Sequence, residues 1–148
     1  MTSVIHGAQV AIEIRRLGPE DAHVLERVAP EVFDELVRPD RLAAYLAEPG
    51  HHLWVAITDG KVVAQAAAVV HRHPDKPAEF YVDEVGVTPA LQRQGIARRM
   101  LEEMFAFARS IGCEEAWVGT EPDNAAARGL YKRLGGKAGS FVMYEYEL

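Results

Sequence analysis

Cysteine is nearly missing from this sequence: Cys113 is the only one in 148 residues. An internal disulfide framework is therefore excluded, and a reducing, cytoplasmic setting is expected. Long apolar runs are missing too. The longest, Val62 to Val70, is interrupted by Gln65 and falls far below the ~20 residues needed to span a bilayer. The opening residues, MTSVIHGAQV, lack the basic and apolar regions of a signal peptide. Positive charge is in deficit, with 16 basic against 22 acidic side chains and a net charge of −6. Nucleic-acid binding, which rests on cationic neutralisation of phosphates, is not expected. A cationic ligand is favoured instead. No repeat, biased segment or linker-like stretch breaks the chain, so residues 1–148 are read as one domain. The composition, 49% hydrophobic and 26% charged, is that of a globular protein able to bury its own core.

The hydrophobic period divides the chain into elements. Val10, Ile12 and Ile14 alternate with Ala11, Glu13 and Arg15 and predict a first strand. Gly18-Pro19-Glu20-Asp21 opens a helix that stops near Pro30, a second helical stretch covers about 31–37, and a third follows Asp40 through Leu46. Leu53, Val55 and Ile57 then share one strand face. Asp59-Gly60 is a hairpin turn, Lys61 to His71 the return strand, and Glu79 to Val87 a further strand. A helix is predicted from about Gly95 to Ile111, with Gly112 beyond its end. Ala116-Trp117-Val118 centres the next strand, and Asp123 or Asn124 caps a helix ending at Gly135-Gly136. Alternation of Val142, Tyr144, Tyr146 and Leu148 predicts a last strand. The order is that of an α/β domain with a mixed sheet.

Two segments carry chemistry. In the first, a strand ending Val85-Gly86-Val87 turns through Gln92-Arg93-Gln94-Gly95-Ile96-Ala97-Arg98-Arg99 into a helix. Small residues at a helix start let a ligand approach the backbone, and free N–H groups there attract phosphate. Neither a P-loop nor a dinucleotide fingerprint is present. In the second segment, Asn124 and Tyr131 lie two turns apart on one helix face, with Ala127 in the alanine-rich stretch between them. A flat ligand could lie against that stretch.

Together, Gln92 through Ala97 and Asn124 through Tyr131 with Leu134-Gly135 resemble the signature segments of the acyl-CoA-dependent GNAT N-acetyltransferases. The resemblance covers essentially the whole chain. It implies a mixed, mostly antiparallel sheet flanked by helices, with a splay between the strands at 79–87 and 115–120. It implies acetyl-CoA as cosubstrate, with no metal. The backbone of Val85, Gly86 and Val87 would pair with the pantetheine arm, and amides from Gln92, Arg93, Gln94, Gly95, Ile96 and Ala97 would hold the pyrophosphate. Arg93, Arg98 or Arg99 would lie near the ribose phosphate, Asn124 would bond the pantetheine end, and Tyr131 would protonate the departing thiolate. Ala97 stands where glycine is common. Gly119 stands where the branch that acetylates ribosomal proteins carries a glutamate.

Around Phe80 to Val87 and Pro122 to Ala126 the sequence is most similar to the aminoglycoside 3-N-acetyltransferases. The acceptor implied is a small cationic amine, most plausibly an aminoglycoside. A polyamine, an amino acid or a protein lysine are the alternative acceptors, and a non-catalytic acyl-CoA-binding module is an alternative of another class. Glu84 or Asp83 would take the amine proton. Strict strand alternation points these two to opposite faces, so only one could face a given cleft. Glu31, Asp34, Glu35, Asp83, Glu84, Glu121 and Asp123 are candidates for binding a polycation. Glu145 and Glu147, on the last strand, are acidic as well. Apolar groups on both faces of that strand exceed what one core needs, so a homodimer is expected. His71-x-His73 has metal-ligand spacing without a further ligand set, and Cys113 is expected to be buried and structural.

Overall fold

Asp59 (φ 51°) and Gly60 (φ 71°) both occupy the left-handed region, as a two-residue hairpin turn requires. They join β3 (His51–Thr58) to β4 (Lys61–His71) at the middle of the sheet. The computed structural model describes residues 2–6, as backbone, and residues 11–148. Six strands form one sheet in chain order, β1 (Thr2–His6), β2 (Ala11–Arg16), β3, β4, β5 (Glu79–Val87) and β6 (Glu115–Val118). Every pair is antiparallel except β5 with β6. The mixed, mostly antiparallel sheet is therefore as expected. Strand β1 was not anticipated, and Val10, assigned to the first strand, lies outside the described residues.

The middle strands bury both faces. All residues from Val62 to Ala68 in β4 are buried, Gln65 among them. Helix α2 (Ile96–Ser110) lays Ile96, Met100, Leu101, Met104 and Ala108 into the core, the i, i+4 and i+8 stripe of an amphipathic helix. The Trp54 ring, 1% exposed, packs edge-on against Phe80 and Phe107. Helix α1 (Pro39–Ala47) meets β3 through Tyr45 against His51, whereas α2 meets its neighbour His52 through Phe107. Successive strand residues point to opposite faces, so the two helices flank the sheet on opposite sides.

Three expectations need correction. The first helix is a 3-10 helix over Pro19–Glu26, opened by Asp21, which accepts from the Gly18 N–H (2.7 Å) and from Arg15 (2.6 Å). No helix forms over 31–37. The Val32 carbonyl accepts from Gln65 and the Pro30 carbonyl just before the segment accepts from Thr88, and Glu31 sits at φ 62°, outside helical geometry. The last strand is not formed within the chain either. Residues 137–148 carry no regular structure and all are exposed. Helix α3 (Ala125–Arg133) ends at Gly135 (φ 89°), whose N–H donates to Lys132 O while Gly136 N–H donates to Tyr131 O. That doubly bonded cap fixes the exit direction, and the chain leaves clear of its own sheet.

Candidate active site

The sheet opens where β5 outlasts its parallel neighbour. Pairing joins Glu79–Val82 to Glu115–Val118 and then stops. Past that point Asp83 to Val87 continue along β4 alone, while the chain after Val118 departs through Gly119 and Thr120. The expected splay is present. Between the diverging strands lies a cleft of about 430 Å³. The edge of Val85–Gly86–Val87 facing it has no strand beside it, so an extended ligand could pair there.

One wall is acidic. Glu31, Asp34, Asp83 and Glu84 line the cleft, and no lysine, arginine or histidine does. Asp83 and Glu84 both reach it, against the alternation expected from their adjacency. A β-bulge explains this: Ala67 is opposite Glu84 and Ala68 opposite Val82, so Asp83 is an extra residue in β5. Such a bulge re-aims side chains and is common beside functional sites. Burial raises the pKa of Glu84, and the negative charges of Asp83 and Asp34 add to the effect. Burial likewise raises that of Asp83. The pair is thus shifted toward neutral pH, where a carboxylate is a better base.

The segment carrying Glu31 and Asp34 is clamped onto the sheet. Gln65 Nε2 donates to Val32 O (3.3 Å) and Thr88 Oγ1 donates to Pro30 O (2.8 Å). Gly86 lies directly beneath, where a Cβ would fall 2.3 Å from Val32 O. Only glycine fits there, whatever the cleft binds. Gln65 is 2% exposed and lines the cleft, and its Oε1 has no hydrogen-bond partner among the described residues. Sequence reading used Gln65 only as the residue that interrupts an apolar run. That lone amide in a buried strand was the available signal. Val32, Val118, Thr120 and Leu130 also line the cleft and were not anticipated.

The opposite wall is β6 and α3. Asn124 Oδ1 accepts from the Ala127 N–H (3.1 Å), which makes Asn124 rather than Asp123 the N-cap. Asn124, Ala127 and Tyr131 all line the cleft. Burial pushes the Tyr131 phenol above its ordinary value, so it is protonated at neutral pH and able to donate.

The turn from β5 to α2 is placed differently. Gln92 reaches the cleft, its Nε2 donating to Val87 O (3.1 Å). Arg93 (φ 63°) and Gly95 (φ 83°) are both left-handed, and a Cβ on Gly95 would meet nothing within 4 Å. The surface there is open, and Ile96, Ala97 and Arg98 begin α2 with N–H groups that have no carbonyl a turn earlier in the helix. Arg93, Gln94, Gly95, Ile96, Ala97 and Arg98 do not line the cleft. Arg98 Nε donates to Glu102 (3.0 Å), and Ile96 is a core residue, 3% exposed, so only its backbone is available to a ligand. Glu35, Glu121 and Asp123 also stand outside the cleft lining. The His71 ring lies tilted against that of His73 (centroids 4.4 Å apart), which pairs with Glu79 at 2.8 Å, and Cys113 is buried. No group of three potential metal ligands occurs among the described residues, nor is any of their helices long and apolar enough to cross a membrane.

Known proteins share both sequence and architecture with this chain. The Acetyltransferase (GNAT) family model matches residues 20–136. N-alpha-acetyltransferase RimI of Mycobacterium tuberculosis is 30% identical over 126 residues, 84% of this chain and 77% of that protein. Among solved structures, the aminoglycoside acetyltransferase meta-AAC0020 from an uncultured soil metagenomic sample, in complex with sisomicin, superposes with a TM-score of 0.79. It is 20% identical, over 93% of this chain and 95% of that one. The aminoglycoside N-acetyltransferase AAC(6')-Iy in complex with CoA has a TM-score of 0.72 at 17% identity, over 97% and 99%. The chain belongs to the GNAT acetyltransferase family and is an acetyl-CoA-dependent N-acetyltransferase.

Proposed function

We propose that the acceptor is a small polycationic amine, an aminoglycoside in the first instance. The observation that carries this reading is the cleft wall itself: four carboxylates and no basic side chain. Such a wall concentrates ammonium groups and orients them. Support also comes from the fold neighbours that act on aminoglycosides. The 3-N position expected from the sequence has no such support, since one neighbour is named for the 6' position.

In this reading the open edge of Val85–Val87 aligns the pantetheine arm, and a backbone N–H there polarises the thioester carbonyl. The free amides of Gly95 to Ala97 receive the pyrophosphate. The acidic wall that attracts an ammonium also holds its proton on, and a protonated amine cannot attack. Glu84, with Asp83 beside it, removes that proton. The amine nitrogen then bonds to the carbonyl carbon, the C–S bond breaks, Tyr131 O–H gives its proton to the departing thiolate, and the second proton that the nitrogen loses returns to the Tyr131 phenolate through solvent. Gln65 Oε1 offers a buried acceptor for a remaining amine N–H.

A second reading rests on the relative named for N-alpha acetylation, in which the acceptor is a peptide α-amine. Gly119 in the cleft wall, where that branch carries glutamate, weighs against it. CoA release with sisomicin, a polyamine, free amino acids, a lysine peptide and a peptide with a free N-terminus separates the readings. The first requires the aminoglycoside to show the highest kcat/KM. Turnover confined to the peptide N-terminus overturns it. No turnover with any of these amines, alongside calorimetric binding of acetyl-CoA, would place the acceptor outside all of these classes and overturn both readings.

A further inference from the structure

The carboxylates of the cleft draw in a cation, but charge does not distinguish a primary amine from a secondary one. Gln65 is placed to do so. Its side chain is 2% exposed and lines the cleft, and its Nε2 donates to Val32 O (3.3 Å). That bond fixes the amide, because the opposite orientation would set two oxygens against each other. Oε1 is thereby turned away from Val32, and it has no hydrogen-bond partner among the described residues. A buried polar atom left unpaired is costly and rare. An acceptor held in this way suits a donor that arrives with a ligand.

Register sets that donor beside the proposed base. Gln65 pairs with Gly86, and Ala67 pairs with Glu84. Residues two apart on a strand share a face, so Gln65 and Glu84 are diagonal neighbours on one side of the sheet. Such neighbours stand roughly 7–8 Å apart, within reach of long side chains, and both of these line the cleft. One nitrogen between them can give a proton to Glu84 and still donate a hydrogen bond to Oε1. A neutral amide oxygen is too weak a base to take that proton, so it orients the nitrogen without competing with Glu84.

Hydrogen count separates the amines. A primary ammonium starts with three N–H hydrogens. One goes to Glu84, one leaves once the nitrogen has bonded to the carbonyl carbon, and the third stays on the amide product. A secondary ammonium starts with two and loses both. We propose that Gln65 Oε1 accepts the N–H that is retained, and so makes the site selective for primary over N-methylated amines. The proposal rests on the reading of the acceptor as a small polycationic amine deprotonated at Glu84. With a secondary amine the last hydrogen must leave, and Oε1 ends buried and unpaired.

The test follows CoA release with two matched pairs: sisomicin against sisomicin monomethylated on its primary amines, and putrescine against its N,N′-dimethyl derivative. The unmodified protein should show the higher kcat/KM for the unmethylated member of each pair that turns over. Gln65→Met keeps the length of the side chain but carries neither amide donor nor amide acceptor. The preference should shrink in it by about tenfold to a hundredfold, the effect of leaving one buried hydrogen bond unmade. Because methionine fills similar space, the bulk of the added methyl cancels in the ratio. Loss of the Val32 clamp alone would slow both members of a pair alike. Gln65→Glu gives up the amide donor but keeps an acceptor oxygen, and it should retain the preference. Circular dichroism and calorimetric affinity for acetyl-CoA check that each variant is folded, and Gln65→Leu replaces Gln65→Met if that chain does not fold. An unchanged ratio in Gln65→Met, or a ratio that collapses equally in Gln65→Glu, overturns this proposal and leaves the acceptor reading standing. No turnover of either unmethylated amine overturns that reading, and this proposal with it.

Discussion

The two walls of the cleft are built to different standards. The wall formed by β5 stands on the core: Phe80 and Val82 are buried at its start, buried Gln65 pairs with its Gly86, and Thr88 and Gln65 pin the 30–35 segment against it. The wall formed by β6 and α3 has no fully buried side chain in either element. Its contacts with the core come through half-buried Val118, Leu130, Tyr131 and Leu134. The carboxylates therefore sit on the better-supported side, where in the proposed reading an amine would be oriented and deprotonated. The phenol sits on the lightly supported side, beside the path that reading gives to a long, flexible cosubstrate. Local stability within a protein is not uniform, and segments that receive ligands tend to come from its low end.

Removing chemistry from the weak wall should have the largest effect on rate and almost none on stability. Tyr131→Phe deletes one hydroxyl, so melting temperature and acetyl-CoA affinity should stay unchanged. If the phenol protonates the thiolate, kcat falls by about 10²–10⁴. A fall below threefold returns Tyr131 to a packing role and leaves the weak wall with no chemistry of its own.

The opposite outcome is expected of the core under the strong wall. Phe80 is wholly buried against Trp54 and Phe107, so Phe80→Ala should cost about 3–5 kcal/mol of stability by urea unfolding. Leu130→Ala in α3, only half-buried, should cost less than about 2 kcal/mol. Equal costs would show that the walls do not differ as described.

Most of the strong wall was legible in the sequence, because its elements follow from local patterns. The Asp59-Gly60 turn, the apolar run of β4 and the ends of β5 all come from period and turn chemistry. What escaped depends on contacts distant in sequence. The bulge that turns Asp83 and Glu84 to the same cleft is set by register with Ala67 and Ala68. The failure of 31–37 to be helical goes with side chains more than thirty residues away, Gln65 capturing the Val32 carbonyl and Thr88 that of Pro30 just before the segment. At the C-terminus the strand pattern of 141–148 was plain, but a strand needs a neighbour, and these residues pair with no strand among the described residues. At the candidate site, Val85 to Val87, Asn124, Ala127 and Tyr131 do converge, whereas Glu35, Glu121 and Asp123 do not.

A methyl group can dislodge the acidic segment without touching a charge. Gly86→Ala places a Cβ 2.3 Å from the Val32 carbonyl, so backbone must move. Overpacking of this kind costs about 1–3 kcal/mol. The movement falls on the segment bearing Glu31 and Asp34, so KM for a polycationic acceptor should rise while KM for acetyl-CoA holds. An unchanged acceptor KM in a folded Gly86→Ala variant would show that the clamp does not position these carboxylates.

The smallest effect sought is a displacement of the acid limb of the pH profile, and it tests whether the strong wall carries the base. Burial, then Asp83, then Asp34 raise the pKa of Glu84. A base works only when deprotonated, so kcat/KM should fall as pH drops through that raised value. Asp34→Asn removes one of the negative neighbours, lowers the Glu84 pKa, and moves the limb to lower pH. Asp83→Asn should move it further, being the larger of the two charges' effects. The acceptor complicates this, because losing a nearby carboxylate also makes an ammonium easier to deprotonate, which moves the limb the same way. Amines of different basicity resolve it: a limb belonging to Glu84 stays in place across them, and a limb that follows the amine excludes Glu84 as the group observed. Stability supplies an independent check with its own sign. A carboxyl whose pKa is raised in the folded state favours folding at low pH and loses that contribution as pH rises through the folded value. Glu84→Gln should therefore melt no lower than the unmodified protein at neutral pH, and any advantage should shrink as the pH is lowered and Glu84 takes up its proton. A Glu84→Gln variant that melts lower at pH 7 would mean the carboxylate is held by a favourable partner in the folded protein, which is incompatible with its serving as a base raised by burial.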